Sequence, residues 1–409
     1  VIVSQADFDD QAKGEARLLK GALAEPLQLT GVVQHYDWGM SPPCKVAEYS
    51  GFTGDGFCAE LWFGGHAKAP AIVHVCEKDI ALSDLIRQFP KEVLGARMYA
   101  TYGAELPFLF KILSIRTALS IQAHPNKKLA GILHAKDPAN YPDANHKPEM
   151  ALALTELQAL AGFRPIHEIV AWIKEIPELA ALVSPHLHHG PASHNQAEWL
   201  KEAYISVMRA EQDKVRNCSL ALFSRLAGQV SRSDECRWIS QLQPLFPQGD
   251  RGLFAFFFLN LVTLNPGEVM FMGPHYPHAY LSGEIIECMA NSDNVVRGGL
   301  TKKFIDVPTL ESMLDYTPNI WQPRQPFSMS AELQYFKFPV DEFSLTIIGC
   351  HHRSMFAQNG ARLVFSLGKD ATIEVGKCVF TLRCGEPVLL ADCAGPFSVA
   401  AGDERVVVI

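Results

Sequence analysis

Three short segments gather the side chains able to do chemistry. In LSIQAHPN, residues 119–126, apolar positions alternate with Ser120, Gln122 and His124. Strand side chains repeat every second residue, so the hydroxyl, the amide and the imidazole share one face. Gln122 and His124 form a chelate-like pair, although a polar pair on a strand is more often solvated or hydrogen-bonded. A second segment, YPDANHKPEM, residues 141–150, packs His146, Lys147 and Glu149 around Pro148. Proline holds Lys147 extended and cannot donate to a ladder, so a strand begins there or lies at an edge. The third, GPHYPHAYLSGEIIECMANSDNVVRGGLTKKFID, residues 273–306, has His278 before a β-like run and Glu287 within one. Asn291, Asp293, Arg297, Lys302, Lys303 and Asp306 crowd the glycine-containing turn after it. Gln122, His124, Glu149 and His278 together offer two nitrogens and two oxygens, a donor set that suits Zn²⁺.

Distant segments converge on a metal only if a β layer carries them. From about Pro26 to Leu154, Gly and Pro break the chain into short β-prone runs, with a helical interlude at ALSDLIRQFPKEVLG. Between roughly Thr155 and Leu259, HEIVAWIKEIPELAALV and AEWLKEAYISVMRAEQDKVRNCSLALFSRLAGQV space apolar residues at helical intervals, separated by the loop SPHLHHGPASHN. Strand-like sequence returns at LVTLNPGEVMFMG and again from about Ala331. The order β, α, β, β predicts a mainly β protein with an inserted helical domain. Residues 1–154 and 260–325 form a β domain, 155–259 interrupt it, and 326–409 form a second β domain.

Composition narrows the class of partner. The chain of 409 residues carries a net charge of −8 and no long basic run, which argues against nucleic acid. Its longest apolar run, GLFAFFFLNLVTL, is shorter than the roughly 20 residues that cross a bilayer, so no membrane partner is expected. No secretory h-region precedes it. Ten cysteines without a Cys-x-x-Cys pair indicate reduced thiols in the cytoplasm. A monomer is expected. An anionic substrate meets a mildly repulsive overall field, so a local basic cluster must attract it.

The same segments closely resemble the type I phosphomannose isomerases, zinc-dependent enzymes built from cupin-like jelly-roll β-barrels. YPDANHKPE and HAYLSGEIIECMANSDNVVRGGLTKKFID carry the likeness, and QHYDWG, AELWFGGH, LPFLFKILS and LSIQAHP extend it from about Leu29 to Leu310. The resemblance implies one zinc ion on Gln122, His124, Glu149 and His278, a catalytic arginine at Arg297, and cupin character for the C-terminal β domain. GPHYPHAY holds an extra histidine, His275, but Pro277-His278-Ala279-Tyr280 is the part that matches.

The implied reaction interconverts mannose 6-phosphate and fructose 6-phosphate, taking a proton from C2 and delivering one to C1 through an enediolate. Zinc polarises substrate oxygens, and the permanent charge of Arg297 stabilises the developing oxyanion. Glu149 is the only anionic ligand, which leaves net positive charge on the metal. Glu287, Lys147, Lys303 and a zinc-bound water are eligible to move the proton. Ser120, Lys111 and Lys303 are candidates for the phosphate, and Trp38 and Tyr280 for the sugar pocket. The alternatives are a cupin oxygenase with non-haem iron, less suited to a Gln ligand, and a catalytically silent sugar-binding or regulatory cupin.

Overall fold

The computed structural model describes residues 5–191, 195–227, 233–330 and 332–409. Ala192–His194 of the predicted loop, Gly228–Val230 of the predicted helical stretch and Ala331 at the start of the tail lie outside the described residues. The chain packs as two compact units. One comprises residues 1–114, 286–291 and 324–409, and the other 115–285 and 292–323.

In the first unit a nine-stranded sheet faces a four-stranded one. The large sheet runs from Ser328–Met329 through Leu345–Ile348, Val406–Val408, Arg362–Ser366 and Val388–Leu390 to Leu27–Thr30 and Lys78–Ala81, so early and late chain share one sheet. The small sheet holds Arg353–Phe356, Phe397–Ala400, Ala371–Val375 and Cys378–Leu382. Alternate residues such as Ile348, Val364 and Leu390 from one sheet meet Ile373, Val375 and Val399 from the other in a buried aliphatic core. Two helices, Leu82–Gln88 and Pro90–Tyr102, occupy the predicted helical interlude. A further helix, Gln5–Ala22, precedes the first strand where the sequence shows only mixed charges.

The second unit joins β-strands to helices. Ile121–Ala123 lies between His278–Ala290 and Val296–Gly299. Glu149–Ala153 begins directly after Pro148, as a proline-led strand must. Leu157–Phe163 is a strand within the stretch whose apolar spacing suggests helix. Its sequence LQALAGF is buried at almost every position, and a short continuous apolar run does not reveal its period. The helices span Ile166–Glu175 to Gly252–Ala255. Their core includes Ile169, Leu200, Leu222, Phe254 and Phe257, and it continues onto Ile121, Ala123, Leu281 and Val296. This explains the alternation in LSIQAHPN. Ile121 and Ala123 pack into the helical core, which turns Gln122 to the other face. Among the described residues no helix is long and apolar enough to cross a membrane, and all ten cysteines are unpaired.

Candidate metal centre

Across the short strand Ile121–Ala123, His278 stands opposite Gln122 on one side and Arg297 stands opposite it on the other. Directly opposed residues of antiparallel strands share a face, so His278, Gln122 and Arg297 form one row. His124 follows the strand and Glu149 opens its own. His124, Glu149 and His278 are buried, with ligand atoms within 4.8 Å of one another. Glu149 Oε2 lies 3.0 Å from His278 Nε2 and 3.4 Å from His124 Nε2. The Gln122 amide is 3.4 Å from His278 Nε2, and its oxygen reaches the same point by rotation of the amide.

Hydrogen bonds outside this ring set its chemistry. His124 Nδ1 donates to the Asn294 carbonyl at 2.7 Å, and His278 Nδ1 to the Tyr276 carbonyl at 2.9 Å. A carbonyl can only accept, so both rings carry a proton on Nδ1 and turn Nε2 inward. Burial pushes the His124 pKa down to about 4, keeping that ring neutral. Its Nε2 has no hydrogen-bond partner. Burial alone would raise the Glu149 pKa, but Lys147 and the two histidines together hold it well below the usual carboxylate range. Lys147 Nζ sits 2.9 Å from Oε1, which leaves Oε2 facing the imidazoles. Two imidazole nitrogens, one of them a buried atom without a partner, with a carboxylate and an amide fit a divalent cation of borderline softness.

His275, the rival histidine, is engaged elsewhere. Its Nε2 accepts the Asn126 N–H at 3.2 Å, and its own N–H donates to the His124 carbonyl at 2.8 Å. Its role is to hold the segment that carries His124. Two of the insertion's histidines also have other partners: His186 pairs with Glu202, and His188 donates to main-chain carbonyls.

Arg297 is half-buried, and burial lowers its pKa, with only Tyr141 opposing. It has no carboxylate partner among the described residues. Tyr280 is buried with its ring 6.3 Å from that of His278. Ser120 is half-buried, whereas Lys303 is exposed. In the other unit Lys111 is buried between Glu60 and Glu287, at 3.3 and 3.4 Å, with its ammonium 4.8 Å from the Trp62 ring centroid. Those carboxylates already compensate its charge. Trp38, in the same unit, stacks on Tyr36.

The sequence reading passed over one supporting group. Asn294 is fully buried, and its amide donates to the Asp143 carbonyl, the Asp143 carboxylate and the Asn145 carbonyl. The Ser292 hydroxyl donates to Asp143 as well. The SDN turn is thereby stapled to the PDAN loop, with the Asn294 carbonyl left to orient His124. An uncharged residue inside a conspicuously charged turn was the available signal.

Fold and site together define a metal-dependent enzyme of the cupin class. Residues 27–166 match the description "Phosphomannose isomerase type I, catalytic domain", and residues 178–259 "Phosphomannose isomerase type I, helical insertion domain". The mannose-6-phosphate isomerase of Bos taurus is 42% identical over 342 residues, covering 78% of this chain and 80% of that protein. That of Saccharomyces cerevisiae is 41% identical over 346 residues, covering 76% and 80%. A zinc-bound crystal structure of mannose 6-phosphate isomerase superposes with a TM-score of 0.84 at 31% identity, covering 94% of this chain and 98% of that one. An arginine-to-alanine variant of the Salmonella typhimurium phosphomannose isomerase gives the same TM-score, identity and coverage. The chain belongs to the type I phosphomannose isomerases, cupin-fold proteins with a helical insertion. These relatives do not favour the oxygenase or silent-cupin alternatives.

Proposed function

We propose that the chain interconverts mannose 6-phosphate and fructose 6-phosphate as a zinc-dependent aldose–ketose isomerase. Gln122, His124, Glu149 and His278 hold one zinc ion. The observation that carries this reading is the pair of Nδ1-protonated imidazoles, one with an orphaned Nε2, beside a half-buried arginine that lacks a carboxylate. Bound zinc would supply Lewis-acid polarisation of the substrate oxygens.

The chain's own residues do the rest. Arg297, in the row with Gln122 and His278, directs permanent charge at the oxygen that becomes negative as C2 loses its proton. Lys147 orients Glu149 by holding Oε1. Ser120 and Lys303 bind the phosphate, and Tyr280 backs the His278 ring on the sugar side. Glu287 is the candidate for proton transfer at C1 and C2, with Lys147 the second. Lys111, held by two carboxylates, fixes Glu287 more readily than it binds phosphate. The family's Salmonella typhimurium enzyme has been substituted at a histidine, a lysine, two glutamates and an arginine. Each of those residue types also occurs in the set proposed here. The insertion covers the site without supplying metal ligands, the unpaired cysteines support a cytosolic location, and the chain acts as a monomer.

The test is a coupled assay of mannose 6-phosphate isomerisation with zinc measured in parallel. Chelation should abolish turnover and added zinc restore it. Full activity in metal-free protein would end this reading.

A further inference from the structure

Arg297 is followed by a turn that the backbone adopts only under restraint. Arg297 pairs with Gln122, but the register then slips, so that Gly299 stands opposite Ile121. An irregularity of this kind re-aims the side chain beside it. Gly299 then takes φ +131°, and Leu300 takes φ 51°, in the left-handed region that residues with a Cβ rarely occupy. Such a conformation persists where the surroundings impose it.

Here the surroundings come from the helical insertion. Asp250 is buried, and its Oδ1 accepts the Leu300 N–H at 2.7 Å and the Gly252 N–H at 2.6 Å. The Thr301 N–H bonds the same carboxylate. Neighbouring Arg251 directs its guanidinium to the Met208 carbonyl and the Gln212 amide. Asp250 is thus committed to main-chain N–H groups on both sides of a backbone crossing. At that crossing the chains touch. A Cβ on Gly252 would stand 2.5 Å from Leu300 N, and one on Gly299 only 2.4 Å from Gly252 Cα. The buried Tyr204 hydroxyl closes the other side, 3.2 Å from where a Gly298 Cβ would be.

We infer that Asp250 is a positioning residue for catalysis: a carboxylate of the helical insertion clamps the turn 299–301 and so sets the aim of the Arg297 guanidinium beside the metal ligands. The insertion therefore does more than cover the site. It supplies the fixed point that keeps the Arg297 strand and its turn from relaxing into the commoner regular geometry. The assignment rests on the role proposed for Arg297.

A double-variant cycle in kcat separates the two. Asp250→Asn keeps an oxygen of similar shape but loses the charge and presents an N–H₂ toward backbone donors. In zinc-replete enzyme it should lower kcat by about tenfold to 10²-fold, the range that a displaced group costs, with KM little changed. In the Arg297→Ala background the same substitution should change kcat less than about twofold, because two residues acting through one group are not additive. Near-normal kcat in Arg297→Ala removes the reading on which the inference stands. A slow Arg297→Ala together with a normal Asp250→Asn, or with a fully additive double variant, overturns the inference alone. If Asp250→Asn does not fold, Gly252→Ala replaces it in the same cycle. Its Cβ pushes the same turn while leaving the carboxylate intact, and the same non-additive loss is expected; a normal or additive result again overturns the inference.

Discussion

Each unit buries a lysine against carboxylates, and the two clusters behave as opposites. Around Lys111, Glu60 and Glu287 lie on either side of the ammonium and the Trp62 indole donates to Glu60. Among the described residues no histidine joins those two carboxylates in a group that could hold a metal. Around Lys147, one Glu149 oxygen faces the lysine while the other faces two imidazole Nε2 atoms, one of them without a hydrogen-bond partner. Burial makes a charge costly unless it is compensated, so the first cluster is held by its own ions. The second is complete only with a cation. A buried ion cluster thus signals metal chemistry through its orphaned donors, and charge alone does not.

The sharpest way to break this comparison is to remove a nitrogen from the open cluster. His278→Ala should lose zinc and essentially all turnover, whereas His275→Ala should retain metal and lose only some rigidity at the Asn126 N–H. An empty site in His275→Ala beside a full one in His278→Ala, by metal analysis, would reverse the ligand assignment.

The closed cluster should answer in stability. Lys111→Met leaves Glu60 and Glu287 buried against each other, and removing one partner from a buried ion cluster typically costs about 3–5 kcal/mol. Lys147→Met in zinc-loaded protein should cost clearly less, because the metal still compensates Glu149. Equal losses in denaturant unfolding would erase the distinction between the clusters.

Arg297→Ala should keep its zinc and lose on the order of 10²- to 10³-fold in turnover, as when one preorganised oxyanion donor is removed. Lys303→Ala should instead raise KM at nearly constant kcat, because a phosphate contact made equally in ground and transition states is uniform binding. Steady-state kinetics on mannose 6-phosphate separates the two, and a pure kcat effect in Lys303→Ala would remove that lysine from phosphate binding.

Acid should distinguish the clusters again. In the folded chain His124 titrates at about 4 against an ordinary 6.5, so the unfolded state takes up the proton first as pH falls. The stability of metal-depleted protein should therefore be complete above the ordinary value and decline between 6.5 and about 4. The limit is about 3 kcal/mol. Glu149, held low, contributes in the same sense below the usual carboxylate value. A melting temperature unchanged from pH 7 to 5 in apoprotein would contradict this.

The smallest effect belongs to the aliphatic sandwich of the first unit. Ile373 is fully buried there, between strand partners Phe380 and Val399. Ile373→Val should cost about 0.5–1.5 kcal/mol with no change in zinc content. A loss of metal would show that the sandwich core acts on the site.

Much of the site was legible because strand alternation is a local property. Gln122 faces away from Ile121 and Ala123 by alternation alone, and Pro148 obliges a strand to start beside Glu149. The strand Leu157–Phe163 was hidden by its uniform burial, and Asn294 by its neutrality. Asp250 gave no local sign of this role, since the Leu300 N–H that it holds lies fifty residues downstream.

By itself the sequence determined the donor types, the β–α–β order and, through its motifs, the family, since these depend on residue identity and short-range periodicity. Only the tertiary structure decided that the Asn126 N–H holds His275 outside the ring, that both imidazoles turn Nε2 inward, and that Arg297 stands beside Gln122 while Lys111 is enclosed by carboxylates. Those outcomes depend on which distant backbone carbonyl, amide or carboxylate arrives within about 3 Å, the range over which a hydrogen bond acts. No spacing along the chain encodes that distance.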